Sequence, residues 1–97
     1  MVNFVAKLSK MGRDRVIVIP KRYVDTKLLK VGHYYIVSLK EIVEGVVGNK
    51  ILEFIGKVTA SPTTGGIIYV PRKIVKLNIL KEKEPYFISM KEVEELR

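Results

Sequence analysis

Two runs of β-branched residues stand out along the chain, and each ends at a proline that is followed by two cations. The two segments are Val16-Ile17-Val18-Ile19-Pro20-Lys21-Arg22 and Ile67-Ile68-Tyr69-Val70-Pro71-Arg72-Lys73. β-Branched side chains favour a pleated strand, and proline ends a strand because it has no N–H to donate. Since proline also fits the first turn of a helix, each segment predicts a strand, a corner and a helix that begins with two cations.

The same alternation of short apolar runs and turn residues predicts the other elements. The predicted strands are Phe4–Ser9, Arg15–Ile19, Tyr34–Leu39, Phe54–Thr59, Ile67–Val70 and Tyr86–Met90, and the predicted helices are Pro20–Leu29 and Pro71–Leu80. Turns are expected at Lys10–Asp14 and Ser61–Gly66, and a last helical turn or a frayed end at Lys91–Arg97. Glu41–Asn49 is predicted to be a connector, with the alternative that Val46-Val47 lengthen a strand. The chain is therefore predicted to be mostly β with short helices.

The second half of the chain repeats the first. From Pro20 to Ile42 the two halves align at an offset of 51 without a gap, and eight of these twenty-three pairs are identical. The first strands align at an offset of 50, as Phe4 with Phe54 and Lys7 with Lys57 show. We therefore predict a single domain, residues 1–97, made of two β-β-α-β repeats at about 1–45 and about 51–97. A repeat of about 45 residues is small for burying a core alone, so the two should pack face to face about a pseudo-two-fold axis.

Composition and charge narrow the class of protein. The 97 residues include no cysteine, which excludes disulfides and fits a reducing interior. No signal peptide and no apolar run long enough to span a membrane is recognisable, so a cytoplasmic location is expected. The formal net charge is +8, and residues 1–50 carry ten Lys or Arg against four Asp or Glu. Such an excess favours an anionic partner, with nucleic acid first and an acidic membrane surface second.

Four motifs resemble those of the AbrB/MazE/SpoVT superfamily of small swapped-hairpin DNA-binding modules. They are Gly12-Arg13 in the hairpin turn, Val16 to Pro20, Leu29-Lys30-Val31-Gly32, and Tyr35-Ile36-Val37. The resemblance covers nearly the whole chain when both repeats are counted. The second repeat departs from the pattern, because Lys83 stands in the position of Gly32 and the segment Ser61–Gly66 replaces the Gly-Arg turn.

The resemblance implies a swapped-hairpin β-barrel that this chain would form as a single-chain pseudo-dimer. It also implies a transcription regulator that binds double-stranded DNA through its basic hairpin and the proline corner. The first repeat is expected to read DNA, while the second mainly completes the barrel. Whether two such pseudo-dimers associate further is left open, and the DNA-bound protein would be associated with the nucleoid.

The candidate DNA-binding residues are the cations of these segments. Arg13 and Arg15 are predicted to reach base edges, because the planar guanidinium can bind guanine through two hydrogen bonds. Seven others are predicted to hold phosphates and so to fix the position of the protein on the duplex: Lys7, Lys10, Lys21, Arg22, Lys57, Arg72 and Lys73. The alternative is that several of these side chains only keep the surface hydrated.

Catalysis is not expected. His33 is the only histidine, cysteine is absent, and no spacing resembles a metal site or a catalytic triad, so neither a metal nor a cofactor is predicted. His33 itself is expected to be a hydrated loop residue. Two other functions stay open at this stage: an antitoxin and an architectural protein, whose main role would be protein interaction. Antitoxin relatives carry a long tail that wraps the toxin, and this chain ends about seven residues after its last predicted strand, so a toxin partner is not expected.

The richness in Lys, Glu and Ile has a second interpretation, which is a charged surface typical of a thermophilic protein. It suggests a thermophilic archaeal or viral source. Net charge alone therefore favours DNA only modestly. The positions of the cations on the fold distinguish a DNA-binding surface from a merely charged one.

Overall fold

The structure is a computed structural model, and it describes residues 1–77 and 80–93 of the chain. It contains seven strands and two five-residue helices within those residues. They are β1 (Val2–Met11), β2 (Asp14–Ile19), α1 (Lys21–Asp25), β3 (Tyr34–Val43), β4 (Val46–Lys57), β5 (Thr59–Ser61), β6 (Gly65–Tyr69), α2 (Arg72–Lys76) and β7 (Pro85–Glu92). The prediction of a mostly β protein with short helices is confirmed.

All strands belong to one antiparallel sheet with the order β4-β3-β7-β1-β2-β6-β5. The two ends of this order, β4 and β5, follow one another in the chain and are separated only by Val58. β1 bridges the sheet, because residues 2–7 pair with β7 and residues 8–11 pair with β2. The sheet is not a closed barrel, which differs from the predicted barrel, and the buried side chains form one core.

The strand registers follow the sequence offsets of 50 and 51. β1 pairs with β7 from Val2↔Met90 to Lys7↔Pro85. The equivalent pair is β4 with β3, where residue 52 lies opposite 39 and residue 57 lies opposite 34. Each β4 number is the β1 number plus 50, and each β3 number is the β7 number minus 51. The first strand of each half thus pairs with the last strand of the other half, in the same register.

Two residue pairs mark where the halves meet. Ile17 lies directly opposite Ile68 in the β2–β6 pair, and Ser38 lies directly opposite Ser89 in the β3–β7 pair. In both pairs the two residues differ by 51 positions, so each residue faces its own counterpart. A two-fold relation between the halves requires this geometry on its axis.

The core is built from counterparts in both halves. Ile17, Ile68, Val37 and Leu39 are fully shielded from solvent, and Ile88 is buried beside them. Burying such side chains is the main favourable term in folding, at about 1.5–3 kcal/mol for each. This core depends on both halves, so neither half retains it alone.

Two buried tyrosines hold equivalent loops. The Tyr35 hydroxyl accepts a hydrogen bond from the Lys30 amide at 2.8 Å, and the Tyr86 hydroxyl accepts one from the Lys81 amide at 2.7 Å. Burial is the main reason that the pKa of Tyr35 is raised above its ordinary value of 10.0. Each loop is thereby fixed against the strand that follows it.

The proline corners are formed as predicted, but the helices are shorter. Pro20 and Pro71 precede α1 and α2 with ψ of 128° and 133°, and each carbonyl accepts a hydrogen bond from the amide three residues later. α1 ends at Asp25 instead of Leu29, because Thr26 caps it and Lys27 has a φ of +62°. That left-handed conformation is incompatible with continuing an α-helix. α2 ends at Lys76, and residues 78 and 79 of the predicted helix lie outside the described residues.

The prediction of a connector at Glu41–Asn49 is wrong, because this segment is a β-hairpin, and the alternative that Val46-Val47 lengthen a strand is confirmed. β3 runs to Val43 and β4 begins at Val46, and the intervening Glu44 and Gly45 both have positive φ, 52° and 79°. Two left-handed central residues give the turn whose twist matches the flanking strands. The hairpin tip is exposed and extends the two strands away from the core. Of the predicted C-terminal segment, residues 91 and 92 continue β7, and residues 94–97 lie outside the described residues.

Gly56 is required by close packing against the core. A Cβ atom at this position would lie 2.7 Å from Cγ2 of Ile68, a fully buried side chain that would have to shift within the core. We expect Gly56→Ala to lower the free energy of unfolding by about 1–3 kcal/mol, measured by urea denaturation. Gly48→Ala is the matched control, because the nearest atoms there belong to the flexible side chain of Glu41. A loss for Gly56→Ala no larger than that for Gly48→Ala would contradict this packing.

Candidate nucleic-acid interface

The turn between β1 and β2 carries Arg13 at an exposed tip. It consists of Gly12 and Arg13, and Gly12 adopts the left-handed φ of +62° that glycine accepts without strain. Lys10 and Arg15 lie directly opposite each other on the two strands. Directly opposed residues share one face of the sheet, so both cations project from the same face of this hairpin.

Helix α2 packs on β2 and brings cations from the second half of the chain to this hairpin. The Arg72 Nε atom donates a hydrogen bond to Oδ1 of Asp14 at 3.1 Å. A surface cavity of about 240 Å³ lies between the hairpin and the helix. It is lined by Arg13, Asp14, Arg15, Arg72, Val75 and Lys76. We call the four cations among these, Arg13, Arg15, Arg72 and Lys76, the arginine cluster.

Arg15 is less accessible than the sequence suggests. Its guanidinium forms an ion pair with Glu82 and its side chain is 21% exposed. A base contact from Arg15 therefore requires this ion pair to break first. Arg13 is exposed at the turn, so it is the better candidate to reach into a groove.

Lys21 and Arg22 lie on the other helix. α1 packs on β6, where a Cβ atom added to Gly65 would lie 3.5 Å from Cγ of Lys21. The Arg22 guanidinium lies over the ring of Tyr23, 4.7 Å from its centroid. Lys21 and Arg22 are exposed and available to an anion, but they do not belong to the arginine cluster.

The remaining predicted residues fall into two places. Lys73 is exposed on α2, next to Arg72 of the arginine cluster. Lys7 and Lys57 are exposed on the first strands of the two halves, Lys7 opposite Pro85 and Lys57 opposite Tyr34. The Lys57 Nζ atom lies 5.9 Å from the centroid of the Tyr34 ring. Lys7 and Lys57 are counterparts in the two halves, and neither lines the cavity of the arginine cluster.

Two residues of this site were not predicted from the sequence. Lys76 lines the cavity. It could have been predicted, because it lies four residues after Arg72 on a predicted helix and such a spacing places both residues on one face. Glu82, the partner of Arg15, gave no signal, because it lies 67 positions away in the chain. Long-range ion pairs are set by the fold and cannot be read from local spacing.

His33 differs from the prediction of a hydrated loop residue. It is partly buried, and its Nδ1 atom lies 2.6 Å from Oε1 of Glu92 at the end of β7. This contact joins the loop after α1 to the last strand. Within residues 1–77 and 80–93, no group of three or more His, Asp or Glu side chains is arranged to hold a metal ion.

Comparison of the chain with protein-family models, with curated proteins and with solved structures finds no match. The resemblance to the AbrB/MazE/SpoVT superfamily therefore stays a prediction that rests on the motifs described above. In the part of the chain that the structure describes, no helix has both the length and the apolar character to cross a membrane. The geometry and charge of the arginine cluster are therefore the features that bear on function.

Proposed function

We propose that this protein binds double-stranded DNA and acts as a transcription regulator of the AbrB type, in the cytoplasm and associated with the nucleoid. The observation that carries the proposal is the arginine cluster. Arg13 and Arg15 come from the first half of the chain, Arg72 and Lys76 come from the second, and one cavity joins them. Folding therefore concentrates cations that are far apart in the sequence, which is expected for a surface that binds a polyanion.

The proposal includes a swapped-hairpin pseudo-dimer as the architecture. Its support is the pairing of the first strand of each half with the last strand of the other, in equivalent registers. The self-paired positions Ile17↔Ile68 and Ser38↔Ser89 give further support. Such an exchange of strands between halves is the arrangement that the family resemblance implies.

The β1–β2 hairpin is the element that fits a DNA groove. The major groove of B-DNA is wide enough to admit a two-stranded β-ribbon. With the hairpin tip in the groove, Arg13 can reach base edges while Lys10, Arg72, Lys73 and Lys76 face phosphates. Phosphate contacts would then supply most of the affinity, and Arg13 would supply sequence preference.

The test is a fluorescence anisotropy titration of a labelled 30-base-pair duplex at several salt concentrations. Each phosphate contact adds about 0.9 to the slope of log K against log salt, so about four contacts predict a loss of about 100-fold between 50 and 200 mM salt. A single strand of the same length serves as the competitor and should bind more weakly. No binding to any duplex, or an affinity that does not change with salt, would overturn the proposal.

A further inference from the structure

The fold has two equivalent sides, each made of a hairpin turn and the helix that packs beside it. On one side α2 packs on β2, and on the other α1 packs on β6. The relation between the sides follows the sequence offset of 51, so Arg72 corresponds to Lys21 and Lys73 to Arg22. We call them the α2 side and the α1 side.

The α1 side lacks the side chains that build the arginine cluster. The counterparts of Asp14 and Arg15 are Gly65 and Gly66, and Val24 of α1 packs directly on them. A Cβ atom at Gly66 would lie 3.1 Å from Cγ2 of Val24, so helix and strand are too close for an arginine there. The short Gly-Arg turn is replaced by Pro62-Thr63-Thr64, which carries no charge.

The charges of the two sides differ accordingly. On the α2 side, residues 10–15 of the hairpin, helix α2 and Glu82, the partner of Arg15, contribute six cations and two acids, a net charge of +4. They are Lys10, Arg13, Arg15, Arg72, Lys73 and Lys76 with Asp14 and Glu82. Their counterparts on the α1 side are two cations and one acid, a net charge of +1: Lys21 and Arg22 with Asp25. The acid Asp25 stands where Lys76 stands on the α2 side.

We infer that the DNA interface is one-sided: the α2 side alone binds the duplex strongly, and the protein recognises one asymmetric site instead of a palindrome. A symmetric dimer presents two identical reading surfaces, which is why palindromic sites reflect protein symmetry. This chain keeps the symmetric backbone but has a full set of cations on one side only. The inference rests on the proposed DNA binding and specifies the form of the site.

The interface on the α2 side is shared between the two halves of the chain. Arg13 and Arg15 come from the first half, and Arg72, Lys73 and Lys76 come from the second. This differs from the expectation that the first half alone reads DNA. The second half supplies the helix that faces phosphates beside the first hairpin.

The test compares counterpart variants, in which equivalent positions on the α2 side and the α1 side are each replaced by alanine. Lys73→Ala and Arg72→Ala are expected to weaken duplex binding about tenfold each, and Lys73→Ala should reduce the salt slope by about one. Their counterparts Arg22→Ala and Lys21→Ala should change the affinity less than about twofold. All four positions are exposed helix positions, and circular dichroism with thermal melting checks that each variant stays folded.

Selection of bound duplexes from a random pool, followed by footprinting, gives the second readout. We expect a sequence without internal two-fold symmetry and a footprint on one face of the duplex. Equal losses for counterpart variants, or a palindromic selected sequence, would overturn the one-sided interface while leaving DNA binding intact. Failure of the unaltered protein to bind any duplex would instead overturn the proposed function and the one-sided interface together.

Discussion

Reversing two charges of the arginine cluster, Arg13→Glu with Arg72→Glu, is expected to lower the affinity for duplex DNA by at least about 100-fold. The loss of each Arg contact is expected to lower the affinity about 5- to 150-fold, and the two new carboxylates repel the phosphates. Both side chains are exposed, so the fold should not depend on them. The measurement is the anisotropy titration at one fixed salt concentration.

A control with the same change in net charge separates local from overall electrostatics. Lys50→Glu with Lys91→Glu also takes the net charge from +8 to +4, and both lysines are exposed away from the arginine cluster. Lys50 forms an exposed ion pair with Glu53, which is expected to contribute little to stability. We expect less than about tenfold loss for this control. Equal losses for the two double variants would show that net charge, and not the arginine cluster, determines binding.

The second large effect concerns stability and the point where the halves meet. Ile68→Ala is expected to lower the free energy of unfolding by about 2–5 kcal/mol, because it leaves a cavity at a fully buried position. For a domain of 97 residues this corresponds to a fall in Tm of about 10–30 °C. Ile55→Ala is the matched control, since Ile55 is 56% exposed and should cost much less.

The counterpart Ile17 extends this prediction to the symmetry of the core. Ile17→Ala should cost about as much as Ile68→Ala, because the two residues face each other and both are fully buried. Since they are in direct contact, the double variant should differ from the sum of the two single losses by more than about 0.5 kcal/mol. If the two single variants lose unequal amounts of unfolding free energy and the double variant loses their exact sum, Ile17 and Ile68 do not face each other as the register indicates.

The sequence was sufficient for the elements that depend on local pattern. The β-branched runs before Pro20 and Pro71 form strands that end at Ile19 and Tyr69, within two residues of the prolines, because a missing N–H and a fixed φ act locally. The offsets of 50 and 51 also reappear in the strand registers, since equivalent residues of each half bury equivalent side chains. Local pattern and repetition were therefore sufficient for these two strands and for the pairing of the halves, whereas the predicted strand Phe54–Thr59 is interrupted at Val58 and β5 was not predicted.

The errors arose where long-range packing or turn geometry decides the outcome. The helix from Pro20 ends early because Lys27 adopts a left-handed conformation, which a lysine in the sequence does not predict. The Glu44-Gly45 turn converts the predicted connector into a hairpin. The placement of α2 beside the first hairpin depends on the contact between the two halves, so spacing along the chain could not reveal the shared arginine cluster.

NMR mapping of the amides during a duplex titration shows whether duplex DNA binds on the α2 side. The 11.1 kDa chain is small enough for every described amide to be followed. We expect the chemical-shift perturbations to concentrate at residues 10–15 and 72–76, while residues 21–25 and the hairpin tip at 43–47 change little. Perturbations of equal size at residues 21–25, or confined to the hairpin tip, would contradict it.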